Sequence, residues 1–228
     1  MLDPRRTRVK EDRIRTATPT GEDTMPDLLT ACRSCLRHFA LSAALLALAA
    51  CSEATGPAYY LLEPPQSEVS TGEQDANGTL IGLREVGLPL YARRPQIASL
   101  QPDGTILASD ANRWASDPAR GATILLSREL SNRLATPVVT EPWPLGTRPE
   151  QLVQVEVDYF AGSLGGELRL SGQVRVSAYG RGDDTRSRGF DIRVPVDGET
   201  YGALARAHGV ALARLADDIS AMMAPAAR

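Results

Sequence analysis

The chain has 228 residues, 23% of them charged and 43% hydrophobic, and 25 basic against 28 acidic side chains give a formal charge of -3. That is the composition of one globular domain with appendages, and the balanced charge excludes a protein that tracks a phosphate backbone, so no nucleic-acid partner is expected. Two histidines, His38 and His208, and three cysteines, Cys32, Cys35 and Cys51, are too few for most metal centres and nucleophilic constellations, so neither metal nor cofactor is expected.

Residues 1–24 mix both charges without apolar periodicity, and Met25 lies at a normal distance before an apolar run, so translation is expected to start there and the first 24 residues to be dispensable. Residues 25–50 read as a secretory signal: Arg33, Arg37 and His38 precede the uncharged stretch from Phe39 to Ala50. Glu53 interrupts that stretch before it reaches the roughly 20 apolar residues a membrane-spanning helix needs. It ends in Leu48-Ala49-Ala50-Cys51, which resembles the lipobox of bacterial lipoproteins. Cys51 is therefore the expected site of acylation, and two or more chains hold a protein on a bilayer where one does not. In proteobacterial lipoproteins an aspartate after the cysteine marks inner-membrane retention; Ser52 stands there, which by that resemblance implies sorting to the outer membrane. Cys32-Arg33-Ser34-Cys35 has redox-motif spacing, but it lies in the signal with no partner pair to complete a zinc site.

Cleavage before Cys51 leaves 178 residues with 17 arginines and 22 carboxylates, enough for one domain, expected over 58–224 behind a tether spanning 51–57. Tyr59 to Leu62 is strand-like, residues 63–78 form a polar loop, and Leu80 to Val86 read as a second strand. Gln96–Leu100 and Thr105–Ser109 flank Pro102-Asp103-Gly104 and predict a hairpin. Asp117-Pro118 starts a helix to about Ala135, the carboxylate taking free N–H groups and the proline standing where its missing donor costs nothing. Ala119, Ala122, Leu126, Leu130 and Leu134 form its apolar stripe.

Val138–Thr140 is a brief strand, followed by Pro142-Trp143-Pro144-Leu145-Gly146 as a turn. Period-two alternation from Val153 to Tyr159 and from Leu168 to Val176 predicts two half-buried antiparallel strands joined at Ser163–Gly166, and a turn at Gly180–Asp184 leads to a third over Arg188–Val196. Thr200 opens a second long helix through Met223, with Leu204, His208, Ala211, Leu215, Ile219 and Met222 on one stripe. The whole is expected to be an α+β fold, a largely antiparallel sheet with two long helices packed on one face and the other face wet or free for a partner.

No catalytic constellation emerges. His208 on an apolar stripe is expected to be structural, Gly162-Ser163-Leu164-Gly165 lacks nucleophile-elbow spacing, and Asp183-Asp184 and Asp217-Asp218 are adjacent pairs whose side chains diverge. Arg181-Gly182-Asp183 reads as a turn.

The stretch from Gly87 to Pro118 stands out. Pro89, Tyr91, Arg94-Pro95-Gln96-Ile97 and Arg113-Trp114 resemble the PqiC (YmbA) family, auxiliary lipoproteins found with ABC-type and MCE (mammalian cell entry) lipid transport systems, and the similarity runs in pattern from the lipobox to the last helix. The resemblance implies a non-enzymatic subunit tethered to the inner leaflet of the outer membrane through Cys51. It also implies docking onto an MCE-domain protein and its ABC transporter, and assembly as a homo-oligomer. Tryptophan, tyrosine and arginine are common interface anchors, so Pro89, Tyr91, Arg94, Gln96, Arg113, Trp114 and loop residue Trp143 are the candidate partner-binding residues, with Trp114 and Tyr91 as core caps the alternative reading. Two other functions remain: an assembly factor or regulator of another envelope machine, such as a cell-wall synthase or secretion pore, and a lipid-anchored hydrolase built around His208.

Overall fold

Alternation builds the centre of the sheet. The computed structural model describes residues 56–63, 80–146, 148–178 and 185–224, all within Thr55–Arg228, one of two compact units into which the chain divides. The acylation and sorting positions Cys51 and Ser52, the Cys32–Cys35 pair and the turn around Arg181–Asp184 lie outside the described residues. Among the described residues no helix is long and apolar enough to cross a membrane.

Three long strands, β6 (Gln151–Gly162), β7 (Glu167–Ala178) and β8 (Thr185–Pro195), form an antiparallel meander. Val153, Val155, Leu168, Leu170, Val174, Val176, Ile192 and Val194 face inward and are buried, while Glu156, Asp158, Gln173 and Arg175 alternate outward. That outer face carries ion pairs, Arg169 with Asp191 at 2.9 Å and Arg193 with Glu167 at 3.0 Å, and stays wet.

The earlier strands share the second edge of β6. β2 (Ile81–Leu83) pairs in parallel with its start and with β5 (Val138–Thr140), and β3 (Gln96–Leu100) joins in parallel at its end. β3 is antiparallel to β4 (Ile106–Trp114), whose last three residues pair in parallel with β1 (Ala58–Tyr60). The sheet is therefore antiparallel along its long ladders and mixed where these short strands dock.

Two helices cover one face. α1 (Pro118–Leu134) begins where Asp117 accepts the Arg120 N–H at 2.8 Å and ends on Ala135 in the left-handed region at φ 47. α2 (Tyr201–Met223) begins on Thr200, whose hydroxyl accepts the Ala203 N–H at 3.1 Å. Of the expected stripes, Ala119, Ala122, Leu126, Leu130, Leu204, His208, Ala211, Leu215 and Ile219 are buried; Leu134 and Met222 are half-buried. Thr123, also buried, donates to the Ala119 carbonyl at 2.7 Å and accepts the Val86 N–H at 2.9 Å, tying the exit of β2 to α1.

Two devices outside the apolar pattern lock the helices. Arg133 of α1 binds buried Glu129 one turn back and reaches Asp217 of α2 at 2.6 Å, so one guanidinium joins both helices. The segment after β1 crosses α2 at Gly209, where a β-carbon would run into the Glu63 carbonyl oxygen; only glycine lets the backbones approach so closely.

Candidate functional site

The residues singled out by resemblance gather on the segment leading into β3 and at the far end of β4, and most of them build local structure. Gly87 bridges to β6, donating to the Val155 carbonyl at 2.9 Å and accepting from the Val157 N–H at 2.8 Å. The Pro89 carbonyl then accepts the N–H groups of Ala92 (2.9 Å) and Arg93 (3.2 Å), closing a tight turn. The turn lays Tyr91 against β6, where its hydroxyl oxygen accepts the Phe160 N–H at 2.8 Å. This fills a gap in the shared edge of β6 between Gly87 and β3, and half-burial pushes the phenol pKa above its usual value.

The Arg-Pro-Gln-Ile and Arg-Trp residues staple a bulge. Gln96 pairs with Arg113 but Ile97 pairs with Ser109, leaving Asp110, Ala111 and Asn112 looped out of the ladder. The Gln96 amide donates to Asp110 at 3.1 Å, Arg113 Nε donates to the Asp110 carbonyl at 3.0 Å, and the Trp114 N–H donates to the Pro95 carbonyl at 2.7 Å. Tyr60 on β1 donates to Asn112 at 3.0 Å, so the bulge also holds the first strand.

Trp114 lies in the core. It is 6% exposed and meets the His208 ring edge-on at 5.4 Å between centroids. The bulge turns it inward, in line with the core-cap alternative and not with a surface contact. His208 is core as expected: Nδ1 lies 2.8 Å from the Leu204 carbonyl, Phe160 packs against the ring at 4.4 Å, and burial pushes its pKa down to about 4 although backbone groups of Leu204 and Phe160 pull it up. Trp143 is half-buried and lies over Gly82 of β2 beside Pro149, where any larger residue on β2 would displace it. Asp217, expected to be solvated surface, is exposed but engaged by Arg133. Ser163–Gly166 is the expected turn, with the Ser163 N–H donating to Glu167 at 3.1 Å.

The motif segment and the hairpin also enclose an open groove of about 390 Å³, lined by Leu90, Tyr91, Arg94, Ala98, Ile106 and Ala108. The pairs Ala98↔Ala108 and Leu100↔Ile106 share one sheet face, the face that over β6–β8 is charged. Leu90 is 77% exposed and Ile106 38% exposed at the groove walls. Arg94 is exposed and makes no ion pair or hydrogen bond to any described residue. Beside the groove, Ile106–Ala111 has no strand on its outer edge among the described residues, since β1 reaches only Asn112. Leu90, Ile106 and Ala108 were missed as site residues. The available signal was Ile106-Leu107, adjacent apolar residues of which strand alternation must turn one outward. Among the described residues no three His, Cys, Asp or Glu side chains gather to hold a metal ion.

Residues 60–220 match the family described as ABC-type transport auxiliary lipoprotein component. The chain belongs to that family. The match runs from the first strand into the last turn of α2, so it takes in both the motif segment and the groove of this auxiliary lipoprotein. Among solved structures, one titled only as an uncharacterized protein superposes with TM-score 0.60 at 20% identity, covering 74% of this chain and 99% of that one. Protein XCC0632 from Xanthomonas campestris superposes with TM-score 0.52 at 14% identity, covering 72% and 90%. These two likenesses bear on the fold. No curated protein matches the sequence.

Proposed function

We propose that this auxiliary lipoprotein is a non-enzymatic accessory subunit of an MCE-type ABC lipid transport system. It is held on the periplasmic face of the outer membrane by acyl chains on Cys51, with Ser52 directing it there, and it works as a homo-oligomer against the system's MCE-domain protein. The observation that carries the reading is the family match from 60 to 220, which embraces nearly all of the described domain. Of the candidate partner-binding residues, half-buried Pro89 and Trp143 remain for the protein partner, since Trp114 is core, Tyr91, Gln96 and Arg113 are occupied in building the turn and bulge, and Arg94 lines the groove.

The test is affinity capture of the full-length acylated protein from solubilised envelopes, with mass spectrometry of what co-purifies. An MCE protein, its permease and its ATPase are the expected companions. Recovery of cell-wall or secretion components in their place would overturn the reading.

A further inference from the structure

We infer that the groove between the Pro89–Arg94 turn and the β3–β4 hairpin binds the acyl chain of an anionic amphiphile, with Arg94 taking the head group's phosphate or carboxylate. The inference deepens the transport reading and rests on it: it gives this subunit a direct contact with lipid.

Three observations lead to it. The first is a break in polarity on one sheet face. Over β6–β8 the outward residues are charged or polar and several are ion-paired, whereas over β3–β4 the same face turns apolar, with Ala98 and Ala108 as floor and Leu90, the Tyr91 ring and Ile106 as walls. Small residues below and larger ones at the sides leave a trough, and its volume of about 390 Å³ falls in the range of about 300–1,000 Å³ typical of small-molecule sites. A protein partner needs about 800 Å² on each side, and the charged face beyond the trough supplies little apolar surface for one.

The second is charge complementarity. Arg94 stands on the lining with no described partner, while the nearby carboxylate of Asp110 is engaged by Gln96 at 3.1 Å and by Arg113 at 3.7 Å. An apolar trough with one free guanidinium beside it matches a molecule with an apolar tail and an anionic head. The third is reach. Six residues lie between Cys51 and Ala58, the first residue of β1, and the seven steps from one to the other span at most about 25 Å. β1 pairs with β4, the strand that lines the groove, so an anchor at Cys51 would keep the trough close to the bilayer it draws from.

The experiment places a photo-reactive benzoylphenylalanine in the full-length acylated protein, reconstituted in vesicles of phosphatidylethanolamine and phosphatidylglycerol and, separately, in cells. It is introduced at Leu90 in the trough, at Leu107 on the opposite face of β4, or at Gln173 on the charged face. Irradiation at Leu90 is expected to give adducts with the mass of a phospholipid in the vesicles and of a phospholipid or a fatty acid in cells, the mass identifying which head group is held. Leu107 and Gln173 are expected to give none above background. Arg94→Gln, an exposed change whose fold is checked by circular dichroism, should lower the Leu90 yield by up to about fivefold, the ceiling for an exposed ion pair. Ala108→Trp should abolish it by filling the trough.

Equal lipid adducts at Leu107 would show mere nearness to the membrane and overturn the proposal. So would adducts at Leu90 with a protein instead of lipid, or none at all. If capture still recovers the transporter in those cases, the transport reading stands and the lipid site alone falls.

Discussion

Lowering the pH should destabilise this domain through His208. Its ring is 2% exposed among Trp114 and Phe160, and burial takes its pKa from 6.5 to about 4. A histidine depressed in the folded state is neutral there while the unfolded chain already takes up a proton. Stability is therefore full above about pH 6.5 and falls as pH drops toward about 4, where the folded state begins to protonate as well. At about 1.36 kcal/mol per tenfold change in proton affinity, the drop from 6.5 to about 4 corresponds to on the order of 3 kcal/mol, against the roughly 5–15 kcal/mol by which a typical domain is stable. The carboxylates held below their usual range, Asp191 by Arg169 and Asp103 by Thr105, are exposed and lose their favourable interactions only at lower pH. The assay is urea unfolding of the full-length protein at steps between pH 7 and pH 4, beside His208→Leu. The variant gives up the bond to Leu204 and starts less stable, but its stability should vary much less with pH over this window. Parallel curves for the two proteins would refute the reasoning.

Three further perturbations follow from the packing. Trp114→Ala should cost about 3–5 kcal/mol in denaturant unfolding; unchanged stability with weakened partner capture would restore the indole to the surface. Arg133→Met should destabilise by about 3 kcal/mol or more because it strands buried Glu129, whereas Asp217→Asn, at the exposed end of the same link, should cost less than about 1 kcal/mol, and equal losses would refute the asymmetry. Gly209→Ala should lower the melting temperature, with overpacking of about 1–3 kcal/mol against the Glu63 carbonyl outweighing the roughly 1 kcal/mol that alanine adds to helix propensity; a raised melting temperature would mean the crossing segment moves aside freely.

The elements legible in the sequence are those whose signals are local. Alternation revealed β6 and β7, although a bulge at Asp158 shifts the register before Tyr159, and Asp117-Pro118 and Thr200 marked both helix starts within a residue. β4 was read too short because Asp110-Ala111-Asn112 interrupts the alternation, and that interruption is the bulge that carries Trp114 inward. The parallel pairings of β1, β2 and β3 depend on contacts between distant segments, which periodicity does not encode.

The same distinction explains the site. Arg94 and Tyr91 could be picked out by residue type, but what each does is set by distant segments: Tyr91 meets Phe160, and Arg94, without a hydrogen bond or ion pair to a described residue, lines a groove with Ile106 and Ala108 of β4. Glu129 is buried inside a helix because Arg133 shields it and Asp217, 84 residues beyond Arg133, completes the link. Ala98 and Ala108 carry no chemistry of their own and become a groove floor only when the register sets them side by side.

The proposed service to an ABC-type lipid transporter from the outer membrane is best checked from the transporter's side. The ATPase of the proposed transporter, tagged and purified from gently cross-linked envelopes, should bring this protein down as a mature chain beginning at acylated Cys51, and Cys51→Ser should remove it from the complex. Absence of the acylated chain from that complex, with the same chain recovered from a cell-wall or secretion assembly, would contradict the account.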